Sequence, residues 1–194
     1  LRSLRYQVNP HFLFNTLNSL SSLVMTGRGQ AAEKMIQALS SFYRRSLAED
    51  PTGDVALDQE VALQRAYLEI ESARFPDRLV TSFEIPQELE TASVPGMILQ
   101  PLVENAVKYA VAPTRKPVTV TIAARQEDGC LVIAVTDNGP GARKDPKSGF
   151  GIGLANVRDR LEARYGAEAS LTAGPAETGG WHAVIRLPLE RHDG

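Results

Sequence analysis

Apolar residues recur at helical spacing through the first third of the chain. Leu13, Leu17, Leu20 and Val24 form one stripe, the pattern of a half-buried helix. Thr26-Gly27-Arg28-Gly29 interrupts it. A second stripe follows at Met35/Ile36, Leu39, Phe42/Tyr43 and Leu47. Two such helices across a short glycine turn predict an antiparallel hairpin. A lone hairpin covers its stripes poorly, whereas two hairpins from two copies bury them in a four-helix bundle. Asp50-Pro51-Thr52-Gly53-Asp54 predicts a loop. A third helix is expected from about Leu57 to Phe75, ended by Pro76.

After Pro76 the period changes. Leu79 to Ile85 predicts a strand and Gly96 to Val111 a helix. Val118 to Ala124 and Leu131 to Asp137 predict two strands, with Glu127-Asp128-Gly129 as their turn. Residues 138–150 form a loop rich in Gly, Pro and Lys. A helix returns from about Ile152 to Tyr165. The last strands are Ala169 to Ala173 and Trp181 to Pro188, around a Gly179-Gly180 turn. Helices mixed with antiparallel hairpins indicate an α+β fold, a sheet with helices on one face. The expected division is a helical region at 1–78 and an α/β region at 79–194.

Composition narrows the classes. The chain has 194 residues, 43% hydrophobic and 23% charged, which suits one medium globular unit or two small ones. A net charge of -2 gives no field for nucleic acid. The single cysteine, Cys130, excludes an internal disulfide framework. No apolar run approaches membrane-spanning length, and no signal peptide is visible. The chain starts without Met, in a helical pattern, so we expect a fragment that works in the cytoplasm. Any membrane attachment would come from an upstream segment.

Three stretches carry candidate chemistry. On the helix at 96–111, Leu99, Leu102, Val103, Ala106 and Ala110 form the core stripe. Asn105 lies about 200° from Val103, and Lys108 and Tyr109 share its face. An Asn carbonyl suits Mg²⁺, and Lys suits phosphate. In CLVIAVTDNGPG, Leu131, Ile133 and Val135 share a strand face that Asp137 continues, so its carboxylate should be partly buried and need a donor. Gly139 and Gly141 permit close approach of a ligand. In SGFGIGLANVRDRL, Gly149, Gly151 and Gly153 alternate before a helix, where backbone N–H groups can hold phosphate. Each is weak alone: a solvated helix face, a common DNG turn and a loose glycine loop would look the same.

Their order is the stronger signal. An Asn on a helix, Asp-x-Gly-x-Gly at a strand end and G-x-G-x-G opening a helix together resemble the GHKL ATPase superfamily over about 79–190. The resemblance implies an α/β-sandwich (Bergerat) ATP-binding domain. Its site would be built from Asn105, Lys108, Tyr109, Asp137, Gly139 and Gly141, and from Gly149, Gly151, Gly153 and Leu154. Asn105 would hold Mg²⁺, Asp137 would accept from the adenine amino group, and loop 138–150 would be a lid over the phosphates. The hydrolases of this superfamily carry a Glu four residues before the Asn. Here that position is Pro101, which cannot activate water.

The N-terminal helix carries the second half of the argument. Leu1, Leu4, Val8, His11, Asn15 and Asn18 follow one heptad-like track, apolar up to His11 and polar from there. Pro10 either kinks a helix that starts upstream or marks a helix start. A lone helical histidine is more often structural. However, QVNPHFLFNTLN resembles the phospho-acceptor box of LytS-type sensor histidine kinases. YLEIESARF, QPLVENAVKYA and GFGIGLANVRDRL resemble the same family in the same order.

That resemblance implies a two-component histidine autokinase. His11 would take the γ-phosphoryl group of ATP and pass it to an aspartate of a response regulator, in a homodimer paired through the N-terminal helices. Phe12 stands where many histidine kinases have an acid, and Tyr109 where LytS-type chains usually have His. Glu104, beside Asn105, is then a candidate proton acceptor after domain closure. Asn15 is a candidate for positioning water when the regulator is dephosphorylated. Two alternatives are a GHKL ATPase that only hydrolyses ATP and a nucleotide-binding dimerisation module without autokinase activity.

Overall fold

A computed structural model of the chain describes residues 10–48, 53–140, 152–177 and 179–192. Helix α1 spans Pro10–Met25 and α2 spans Gly29–Ala48, joined by the expected turn. Residues 1–9 lie outside the described residues, and with them any helix upstream of Pro10.

The buried stripe of the hairpin differs from the expected one. Phe12, Thr16 and Leu23 are buried on α1, whereas Leu17 and Val24 are 48% and 64% exposed. On α2, Ala32, Met35, Ala38 and Phe42 are buried and Ile36 is exposed. The reason is the third helix. Phe12 packs on Phe42 and also on Tyr67 of α3 (Leu57–Arg74), so α1 turns its covered face toward two neighbours. The Leu17 and Val24 side stays outward.

Helix α3 packs along α2 and against three strands: β1 (Asp54–Ala56), β2 (Leu79–Glu84) and β3 (Ser93–Pro95). Strands β1 and β3 form an antiparallel ribbon, Asp54 opposite Pro95 and Ala56 opposite Ser93. Asp54 was expected in a loop; it opens β1 instead. Three-residue strands carry no readable period, which is why neither was foreseen.

The main sheet has five strands in the order β2-β4-β5-β7-β6, completed by β4 (Val118–Glu127), β5 (Cys130–Asp137), β6 (Ser170–Pro175) and β7 (Trp181–Pro188). Strand β2 runs parallel to β4, and all other pairs are antiparallel. The register aligns Ile122 with Val135 and Ile133 with Ile185, so one face is continuously apolar. That face packs on α4 (Gln100–Ala106) and α5 (Ile152–Tyr165) through Leu102, Val103, Leu154, Val157 and Leu161.

Helix α4 is shorter than the expected span of Gly96 to Val111. It starts at Gln100, with Pro101 in its first turn, where a missing N–H costs nothing. Residues 96–99 form a turn instead, with Met97 at φ 57°. Glu60 of α3 holds that turn: its two carboxylate oxygens accept from Met97 N and Leu99 N, both at 2.8 Å. At its other end α4 widens into a π-helical turn, Val107–Val111, a feature frequent at functional sites.

Candidate nucleotide and phospho-acceptor cleft

His11 sits in the first turn of α1 and is exposed. One turn on, the Asn15 side-chain nitrogen lies 3.0 Å from His11 Nδ1 and 3.3 Å from Nε2. The neighbouring Phe12 points the other way, into the Phe42 and Tyr67 rings at 5.5 and 5.2 Å.

Helix α3 contributes a polar cluster. Arg74 Nη1 lies 2.7 Å from both carboxylate oxygens of Glu71, and the Tyr67 hydroxyl donates to the same carboxylate. Burial pushes the Glu71 carboxyl above the ordinary carboxylate range, and Arg74 only partly offsets this. Burial pushes the Tyr67 phenol well up, and the charges of Glu71 and Glu104 add to it.

Helix α4 and its π turn supply Glu104, Asn105, Lys108 and Tyr109. Gln100 Nε2 donates to Glu104 Oε1 at 3.1 Å. Burial raises the Glu104 carboxyl, opposed by the Gln100 hydrogen bond and the Lys108 charge.

These three groups line one cleft of about 600 Å³. Its walls include His11 and Asn15 from α1, Tyr67, Glu71 and Arg74 from α3, and Glu104, Asn105, Lys108 and Tyr109 from α4 and the π turn. Gly153 of α5 closes one side. A second, narrow pocket of about 10 Å³ adjoins it, lined by Leu102, Ala106, Val135, Asp137, Leu154, Trp181 and Ala183. Asn105 lines both.

Asp137 is 7% exposed at the end of β5, and its Oδ1 accepts from Gly139 N at 3.1 Å. Two glycines crowd this strand end. A Cβ on Gly139 would lie 2.6 Å from Ala110 Cβ, and one on Gly180 (φ +84°) would lie 1.8 Å from the Asp137 carbonyl oxygen. Gly139→Ala must therefore push the end of β5 off the π turn. We expect it to weaken ATP binding by about tenfold or more, measured by calorimetry, because it shifts Asp137 against Asn105. Unchanged affinity would show that the two need not hold this spacing.

The expected site residues thus divide. His11, Asn15, Glu104, Asn105, Lys108, Tyr109 and Gly153 lie on the cleft; Asp137 and Leu154 lie on the narrow pocket, with Gly139 beside it. Gly141, Gly149 and Gly151 lie outside the described residues, as does most of the expected lid. Tyr67, Glu71 and Arg74 lie within YLEIESARF, which carries the resemblance without implying a role for any of them. The available signal was the spacing of Glu60, Gln64, Tyr67 and Glu71, a polar track on one helix face. All four are buried.

Residues 1–79 match the histidine kinase family, and residues 93–191 match the family of histidine kinase-, DNA gyrase B- and HSP90-like ATPases. The chain is 35% identical over 191 residues to the sensor histidine kinase YesM of Bacillus subtilis, covering 97% of this chain and 33% of YesM. It is 36% identical over 188 residues to BtsS of Escherichia coli, covering 97% and 33%. It is 31% identical over 204 residues to LytS of Enterococcus faecalis, covering 100% and 34%. The chain therefore spans about a third of the length of these relatives.

The histidine kinase domain of a blue-light activated histidine kinase from Erythrobacter litoralis shares the fold at TM-score 0.56 and 18% identity, covering 93% of both chains. The catalytic domain of histidine kinase ThkA does so at 0.55 and 17%, covering 70% of this chain and 94% of that one. The chain belongs to the histidine kinase-, DNA gyrase B- and HSP90-like ATPases, and its resemblance to LytS-type sensor histidine kinases extends over nearly its whole length.

Proposed function

We propose that this chain is the kinase core of a two-component sensor histidine kinase. It transfers the γ-phosphoryl group of ATP to His11 and passes it on to an aspartate of a response regulator. The observation that carries this reading is the shared cleft, with an exposed histidine on one wall and Asn105 and Lys108 on another. We assign residues 1–78 to phosphotransfer and dimerisation and 79–194 to ATP binding. The exposed Phe14, Leu17, Val24 and Ile36 supply an apolar face for a second copy.

The donor set suits the nucleotide. A buried carboxylate at the end of an apolar slot matches the amino edge and flat faces of adenine. The slot is narrow, so Leu154 and Trp181 must part to admit a base. Asn105, shared by both spaces, stands where the base side meets the phosphate side and offers an oxygen to Mg²⁺. Bound there, Mg²⁺ would neutralise phosphate charge. Arg74 is held by Glu71, so Lys108 is the cleft cation we assign to phosphate.

In the transfer, a lone pair on one imidazole nitrogen attacks the γ-phosphorus. The N–P bond forms, the bond to the bridging oxygen breaks, and ADP leaves with that electron pair. The imidazolium then sheds the proton on its other nitrogen. Glu104 is the carboxylate we place in that role, since Phe12 cannot fill it.

The test is incubation with γ-labelled ATP. Wild type should gain an acid-labile, base-stable label. Asn105→Ala should lose label by losing nucleotide, and Glu104→Gln should slow labelling on the order of 100-fold with binding intact. Steady ADP release with no labelled protein would favour the hydrolase instead.

Asn15 is assigned a later role, positioning water against the phosphorylated regulator. Asn15→Ala should keep autophosphorylation and slow loss of regulator phosphate by about tenfold or more. An unchanged dephosphorylation rate removes that assignment.

A further inference from the structure

Building on the autokinase reading, we propose that His11 takes its phosphoryl group from the nucleotide held by its own chain, and that Phe12 and Tyr67 are the positioning residues that seat it there.

The geometry is intramolecular. His11 lines the cleft together with Glu104, Asn105 and Lys108 of the same chain. Its position follows from its neighbour. Consecutive helical residues project about 100° apart, so burying Phe12 fixes where His11 faces. Phe12 is 6% exposed and lies 5.2 Å from the Tyr67 ring and 5.5 Å from Phe42. The buried Thr16 hydroxyl donates to the Phe12 carbonyl at 2.8 Å, tightening that turn.

Helix α3 then relates both sides of the cleft. Its Tyr67 receives α1, and its Glu60 binds the Met97 and Leu99 N–H groups just before α4, which carries Glu104 and Asn105. One helix thus sets the spacing between acceptor and nucleotide residues. A partner's histidine could enter this seat only by displacing the chain's own α1 and uncovering three packed aromatic rings. The outward apolar residues need no such opening: Phe14 lies about 200° from Phe12 around α1, so pairing there leaves the seat closed.

In transfer within one chain an N–P bond forms, ADP departs with the electron pair of the broken P–O bond, and the ring proton goes to a carboxylate.

Two inactive chains with different tags test this. His11→Gln keeps the nucleotide residues, and Asn105→Ala keeps the acceptor. Co-purified as a mixed pair with γ-labelled ATP, neither should be labelled beside a labelled wild-type control. Label on the Asn105→Ala chain overturns transfer within the chain while leaving the autokinase reading intact. An unlabelled wild type overturns both.

The seat has its own readout. Tyr67→Ala should slow labelling on the order of 10- to 100-fold while nucleotide affinity stays unchanged. Phe12→Leu, which stays apolar, should do so more mildly, and Tyr67→Phe should restore the rate. An equal fall in nucleotide affinity and rate, or no fall in rate in either variant, overturns the seat.

Discussion

His11→Gln should abolish phosphoryl labelling and leave nucleotide affinity within about twofold. Glutamine is polar and of similar length, and it can keep a hydrogen bond to Asn15. It lacks the imidazole lone pair that attacks phosphorus, because the amide nitrogen's pair is delocalised. The residue is exposed on the first turn of α1 and bonds Asn15 at the surface at 3.0 Å, so folding should be little affected. This separates the variant from Asn105→Ala, which is expected to lose label through loss of nucleotide. The chain has two other histidines, His182 and His192, and neither lines the cleft. Label that survives in His11→Gln would identify another acceptor and overturn the assignment.

The largest expected loss of stability is at Glu60. Its side chain is fully buried, and its two oxygens accept Leu99 N and Met97 N at 2.8 Å, with Gln64 Nε2 at 3.4 Å. Glu60→Ala leaves two dry backbone donors and a cavity. Each unsatisfied donor costs about 1–3 kcal/mol, so a loss of about 3–5 kcal/mol is expected in urea titration. For a chain of this size that corresponds to a fall of about 10 °C in Tm. Met97 would also lose the anchor of its left-handed backbone, and the start of α4 would shift. Nucleotide affinity should therefore fall with stability. Glu60→Gln keeps one acceptor and should lose about half as much. A loss below about 1 kcal/mol for the alanine variant would show that the turn holds itself.

The parts legible in the sequence were those with a sustained period. Helix α5 matches its expected span, Ile152 to Tyr165, because an apolar stripe follows a glycine-rich entry. Strand β7 matches its span from Trp181 to Pro188. Tertiary contacts decided the rest. The hairpin's covered stripe moved because α1 answers to α3 as well as α2. The start of α4 moved because a carboxylate 39 residues earlier captures the Leu99 amide. On the site, motif order pointed to α1, α4 and the end of β5. On α3 the stretch YLEIESARF carried the family resemblance, but no role for Tyr67, Glu71 or Arg74 followed from it, because such residues on a helix look like a solvated face until their ion pair and packing are seen.

The place of β7 in the sheet has a consequence for how the chain is made. It follows β6 in sequence, yet it lies between β5 and β6. Until it arrives, both of those strands present open edges to each other and to solvent. The residues just beyond it reach further back, with Glu190 O accepting Ser93 N and His192 N donating to Thr91 O, each at 2.8 Å. Synthesis therefore delivers the local helical hairpin early, and the α/β region can close only after the end of β7 has emerged from the ribosome. Its folding is governed by long-range pairing, a slow and aggregation-exposed step, and α1 has no completed cleft to face until that step is done.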